Sequence, residues 1–136
     1  MTARPLGPGH TPFDAIGHDQ AVQLARRFYD HMDAHEPVLV AIHRLDDTGT
    51  KVAPIVRERF TAFLVEWLGG PKDYSTANGH PRLGMRHGHV AIDVAMRDAW
   101  LRCMNAALAE PTLGDDVRGY LGRRFAEVAD FLRNQR

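Results

Sequence analysis

The chain has 136 residues, enough for one domain that buries a core without disulfide support. Its 17 basic and 17 acidic residues cancel, and Lys51 and Lys72 are its only lysines. That balance excludes both the cationic footprint of a nucleic-acid binder and a polybasic membrane patch.

Residues 1–11, MTARPLGPGHT, are rich in Pro and Gly and lack the apolar core of a signal peptide. They are expected to form a disordered extension ahead of a globular domain over 12–136. From Asp19 onward, Ala21, Ala25, Phe28, Tyr29 and Met32 recur at helical spacing, with the pattern ending near His35–Pro37. VLVAI at 38–42 fits a brief helix or a buried turn, and RLDDTGT after it is a loop by composition. Val52, Val56, Phe60, Phe63, Leu64, Trp67 and Leu68 form a second stripe, which Gly69-Gly70-Pro71 stops. Residues 71–81 have the composition of a polar loop, and Arg82–His87 that of a short helix ending at Gly88.

A third stripe runs through Ile92, Ala95, Met96, Ala99, Trp100, Cys103, Met104, Ala107 and Leu108 as far as Pro111. A fourth comprises Val117, Tyr120, Leu121, Phe125, Val128 and Leu132, each of Gly119 and Gly122 weakening it by roughly 1 kcal/mol relative to alanine. No segment alternates with period two, so the chain is expected to be all-α, four long helices with short ones between them. Cys103 is the single cysteine and lies in an apolar stripe, which excludes an internal disulfide framework and fits a reducing compartment. No apolar run approaches the roughly 18 residues of a membrane span. A cytoplasmic protein without membrane or nucleic-acid partners is the expectation.

The histidines are the first sign of chemistry. Of eight, six fall between His31 and His89. His31 and His35 stand four apart on one helix face, but Met32 occupies the place where a zinc protease needs glutamate. Two solvent-facing histidines at a helix end is the simpler reading. His80, His87 and His89 offer three zinc ligands, yet no second cysteine supports a structural site and Gly88 separates two of them. One histidine beside a wall of aromatic side chains suits haem, a flat apolar plate that needs one imidazole, an apolar slot and cations for its propionates. His87 follows Arg86 and Arg82, with Tyr74 upstream and Tyr29, Phe60, Phe63 and Trp100 on other stripes. Taken alone, the periodicity fits an ordinary aromatic core equally well. A haem-free helical interaction module or a zinc-binding module stays open on these residues.

Longer motifs say more. WLGGPKDYSTANGHPRLGMRH at 67–87, then MRDAWLRCMNAALAE at 96–110, with FDAIG at 13–17 and RRFYDHMD at 26–33, closely resemble the group II truncated haemoglobins over about residues 12–133. The resemblance implies a truncated globin, a two-over-two helical sandwich around haem b. It makes His87 the iron ligand, with Tyr74 and Arg86 near the haem propionates, and Phe60 and Phe63 of the second stripe are expected as further haem contacts. Tyr29, Trp100 and His43 are then the residues on the ligand side. His80 belongs to the motif in a supporting polar role. After His87 this chain has Gly88-His89-Val90 where the family commonly has Leu-Pro-Phe, which leaves His89 as a rival ligand, and the stretch 43–56 is several residues longer than usual.

The second stripe carries no histidine, so a bound polar ligand must find its hydrogen-bond donors elsewhere. Trp100 has an indole N–H with no acceptor capacity, and Tyr29 has a hydroxyl. The expected function is binding of dioxygen and other small diatomic ligands at a single haem iron, with a redox role in nitric oxide or peroxide detoxification as an extension. A separate reductase and a monomeric or homodimeric state complete the expectation.

Overall fold

The computed structural model describes residues 11–79 and 92–133. The first helix, α1, spans Pro12–His35. It begins ahead of the expected Asp19 because a reciprocal cap starts it: Thr11 Oγ1 accepts from the Asp14 amide (3.0 Å), and the Asp14 carboxylate accepts from the Thr11 amide (3.2 Å). Pro12 fits the first helical position, where no amide hydrogen is needed. Gly17, at φ 81° and ψ 170°, then interrupts the helix, and that interruption hides the first turns from a periodicity reading. Beyond it Ala21, Leu24, Ala25, Phe28, Tyr29 and Met32 are buried in sequence register.

Pro37–Ala41 forms α2, settling the VLVAI segment as a helix. The following loop is a small hairpin with one antiparallel bridge, Leu45 to Val52. Asp46 organises its turn, its carboxylate accepting from the Thr48 hydroxyl (2.6 Å) and from the Thr50 and Lys51 amides. At the base, the Val52 amide donates to Asp33 of α1 (3.1 Å) and the Ala53 amide to the Arg44 carbonyl (2.8 Å).

Helix α3 is Pro54–Trp67. The glycine pair after it is more than a stop. A Cβ on Gly69 would lie 2.5 Å from Thr11 Cβ, and one on Gly70 would lie 2.8 Å from the Phe13 ring and from Val65. Gly69 also sits at φ 110°, and the Phe13 amide donates to the Leu68 carbonyl (2.9 Å). The Gly-Gly pair therefore lets the end of α3 lie directly on the start of α1. The expected polar loop beyond the pair contains a short helix, α4, at Asp73–Asn78. Glu66 of α3 anchors this helix, accepting from the Ser75 amide (2.9 Å) and from the Ser75 hydroxyl. A six-residue polar helix has no apolar period to reveal it.

Helix α5 is Val94–Leu108, with the Asp93 carboxylate accepting from the Met96 amide (2.9 Å) at its N-terminus. Ala95, expected in its apolar stripe, is exposed. A 3₁₀ turn at Pro111–Leu113 leads into α6, Asp115–Leu132, whose first turn carries Asp115 and Asp116 where the helix dipole favours them. Val117, Leu121, Phe125 and Ala129 form its inner face, leaving Tyr120 exposed rather than in the stripe.

The architecture is all-α. Helix α1 packs against α3 on one side and α5 on the other, and α5 packs against α6. Leu24, Phe28, Met32, Leu64, Leu68, Met104, Leu113 and Leu121 are almost wholly buried, and truncating any one to alanine costs about 2–5 kcal/mol. Polar braces cross the seams: Arg27 Nε donates to the Ala107 carbonyl (2.9 Å) and Gln20 Nε2 to Thr112 Oγ1 (2.8 Å). Among the described residues no helix is long and apolar enough to cross a membrane.

Candidate functional site

Three helices bring their aromatic residues to one place. Phe28 and Tyr29 come from α1, Phe60 and Phe63 from α3, and Trp100 from α5. Phe28 lies 5.0 Å from Phe60 in a stacked pair and 5.4 Å from Trp100 edge to face. Tyr29 meets Phe60 at 5.4 Å, and Phe63 meets Tyr74 of α4 at 5.6 Å. Offset and edge-on geometries of this kind add about 0.5–1.5 kcal/mol per pair beyond burial.

These rings border a cavity of about 240 Å³, closed further by Leu39, Met96 and, from α6, Val128, Ala129 and Leu132. The cavity thus collects Tyr29, His43, Phe60, Phe63, Tyr74 and Trp100 from segments well separated in the sequence. His80, Arg86, His87 and His89 lie outside the described residues, as does the expected short helix at Arg82–His87.

The polar groups at the cavity have distinct characters. Tyr29 is almost fully buried, and burial pushes its phenol well above the ordinary range; the Arg57 guanidinium opposes this and Asp33 adds to it. The hydroxyl therefore stays protonated. Arg57 lies over the Tyr29 ring, 5.5 Å from its centroid, and is itself held by Asp30 (2.6 Å) and Asp33 (3.8 Å). The half-buried His43 places Nδ1 2.6 Å from the Leu39 carbonyl, an acceptor, so Nδ1 carries the proton. With the proton on Nδ1, Nε2 of a neutral ring is an acceptor. Its ring faces Tyr29 edge-on at 6.0 Å.

Two cations at the cavity escape a sequence reading, Arg59 on α3 and Arg97 on α5. Arg97 is committed to Asp130 (2.9 Å) and Asp98 (3.2 Å), whereas Arg59 is exposed at the rim. The only signal in the sequence is the place of Arg59 one residue before Phe60.

Residues 11–134 match the bacterial-like globin family. The chain is a group II truncated haemoglobin. It is 34% identical over 126 residues to the group 2 truncated hemoglobin YjbI of Bacillus subtilis, covering 93% of this chain and 90% of that protein. Among solved structures it is similar to the cold-adapted truncated hemoglobin of the Antarctic bacterium Pseudoalteromonas haloplanktis TAC125, at 34% identity and a TM-score of 0.84, covering 93% of this chain and all of that one. The group II 2-on-2 hemoglobin of Agrobacterium tumefaciens matches at 32% identity and a TM-score of 0.81, covering 96% and 98%. The α1–α3 and α5–α6 pairs are therefore the two layers of a two-over-two globin.

Membership of this globin group brings haem iron as the cofactor and oxygen binding at that iron as the broad activity. The described residues fit such a group. A flat apolar plate needs an apolar slot, which the rings and aliphatic side chains provide, and a charged edge needs cations at the mouth, where Arg59 stands. Tyr29 and Trp100, each with a polar tip, sit on the walls of the same slot.

Proposed function

We propose that this truncated haemoglobin takes up dioxygen at a single haem iron held by His87, with Trp100 and Tyr29 as the hydrogen-bond donors that retain the ligand. Haem iron, when bound, supplies the coordination position for a diatomic molecule. The chain's own residues decide how long that molecule stays. The observation that carries the reading is that two donors, the Trp100 indole and the Tyr29 phenol kept protonated by burial, border one apolar cavity. A polar ligand surrounded by apolar walls gains about 1–3 kcal/mol from each such donor, because water is not there to compete. His43, edge-on to Tyr29 at the same cavity, is assigned with Tyr29 and Trp100 to the ligand side.

Tyr74 and the rim guanidinium of Arg59, with Arg86, are assigned to the carboxylate edge of the haem, where charge-assisted hydrogen bonds are strongest. Phe60 and Phe63 are assigned to its face. The same donors would polarise the O–O bond of a peroxide, which supports extending the reading to nitric oxide or peroxide chemistry with a separate reductase as electron source. A cytoplasmic location fits the unpaired Cys103, and a monomer or homodimer completes the reading.

Trp100→Phe tests the assignment. It keeps the ring and removes the N–H, so oxygen is expected to dissociate at least about tenfold faster, the effect of losing roughly 1.4 kcal/mol. Carbon monoxide, less polar as a ligand, should respond less. Equal rates to wild type for both gases in stopped-flow measurements would make Trp100 a packing residue only.

A further inference from the structure

The histidine pair on the first long helix has partners that its spacing does not reveal. His31 and His35 are neighbours, ring centroids 4.6 Å apart, at the C-terminal end of α1. One ligand atom each from His31, Glu36 and Cys103 lies within 4.8 Å of the others. The three come from two helices packed on each other and from the cap between α1 and α2. None of them lines the haem cavity.

We propose that His31, Glu36 and Cys103 bind a divalent transition metal of borderline softness, of which Zn²⁺ is the probe of choice. Imidazole nitrogen, carboxylate oxygen and thiolate sulfur are the donor types zinc takes, at about 2.0–2.3 Å. A tetrahedral ion at those lengths holds its ligand atoms about 3.5 Å apart, so the cluster closes by side-chain rotation of about an ångström. Three protein ligands leave a fourth position open to solvent or a further ligand.

Charge around the cluster sets the terms of binding. Arg102 already grips Glu36, Nε to Oε2 at 2.7 Å and Nη2 to Oε1 at 2.9 Å, which fixes the carboxylate beside Cys103 and leaves each oxygen a second lone pair. Its positive charge also competes with the metal. Cys103 is completely buried, and burial raises its thiol to about 12, with Glu36 adding to the rise. Without metal the sulfur is therefore a neutral thiol, and binding must displace its proton into solution.

The test is calorimetric titration of the haem-loaded protein with Zn²⁺ in two buffers of different ionisation enthalpy. One equivalent is expected to bind with release of about one proton. His31→Ala, a change at a half-exposed position, and Cys103→Ser should each weaken binding at least about tenfold, with the haem absorbance unchanged as evidence that the fold is intact. His18→Ala, on the same helix but outside the cluster, should bind as wild type. No binding of zinc, or wild-type affinity in both His31→Ala and Cys103→Ser, overturns the proposal. Affinity lost in His89→Ala instead would assign the ion to the histidines of 80–89 and overturn it too.

Discussion

The two ends of α1 do different work with similar residues. At the N-terminal end Thr11 and Phe13 press onto the backbone of Gly69 and Gly70, and the contact is so close that no side chain fits between them. At the other end Phe28 and Tyr29 hold open a cavity bounded by α3 and α5. One end is a seam in which apolar bulk and backbone fill space. The other is a hollow in which aromatic rings enclose space and two of them, Tyr29 and Trp100, bring polar groups to its wall. Binding capacity here comes from leaving volume unfilled at one end while the other end secures the helix against α3.

If that division is right, the largest stability effect lies at the seam. Gly69→Ala introduces a Cβ at 2.5 Å from Thr11 and forces φ 110° on a residue with a side chain. Clash and strain together are expected to cost about 3 kcal/mol, lowering Tm by roughly 10 °C, as read by thermal unfolding of the haem-loaded protein. Oxygen dissociation measured below the transition should stay within about twofold of wild type, since nothing at the cavity changes. A large kinetic effect with little loss of stability would break the comparison.

Tyr29→Phe is the converse. It removes one donor from the hollow and is expected to speed oxygen dissociation by roughly tenfold. A pH series sharpens this. Tyr29 has its folded pKa raised above the unfolded value near 10, so its contribution to stability is complete below about pH 10 and is lost as pH rises above it, when the unfolded chain ionises first. Cys103, raised to about 12, adds a loss of the same sign that starts nearer pH 9. Denaturant unfolding of wild type should therefore weaken steadily above about pH 9, and Tyr29→Phe should show a shallower decline above about pH 10. An equal slope in the two proteins would mean that burial does not hold the phenol neutral.

The smallest effect is back at the seam. Thr11→Ala removes the oxygen that caps α1 and is expected to cost about 1 kcal/mol, without altering ligand kinetics. Denaturant unfolding read by helix signal checks the first part, and stopped-flow checks the second.

The seam and the hollow also differ in how far they can be read from the chain. The four long helices follow from apolar period, and Gly-Gly-Pro marks a stop by chemistry alone. That the glycines are required by Thr11 and Phe13 cannot be read there, since residues so far apart in sequence carry no mark of their contact. The turns before Gly17 and the polar α4 lack an apolar period, so periodicity alone does not reveal them. At the hollow, Tyr29, Tyr74 and Trp100 lie within the family motifs, whereas Phe60 and Phe63 are marked only by their apolar stripe. The Nδ1 bond of His43 to Leu39 is not legible in the sequence, and it changes what the histidine can offer. Arg59 and the α6 residues Val128, Ala129 and Leu132 reach the cavity through tertiary placement, which local spacing does not encode.

The hairpin between α2 and α3 has a practical use. Its tip, residues 47–50 around Gly49 at φ 71°, is exposed, while its base is fastened by Val52 to Asp33 and by Ala53 to Arg44. Extra residues at the tip lengthen an already closed loop, and each doubling of loop length adds only about 0.6 kcal/mol of entropy. Asp33 keeps its grip on both Val52 and Arg57, so the guanidinium above Tyr29 is insulated from what hangs on the tip. The tip is thus a graft point: an affinity tag, a fluorophore or a tethered electron donor can be carried there while the hollow keeps its shape.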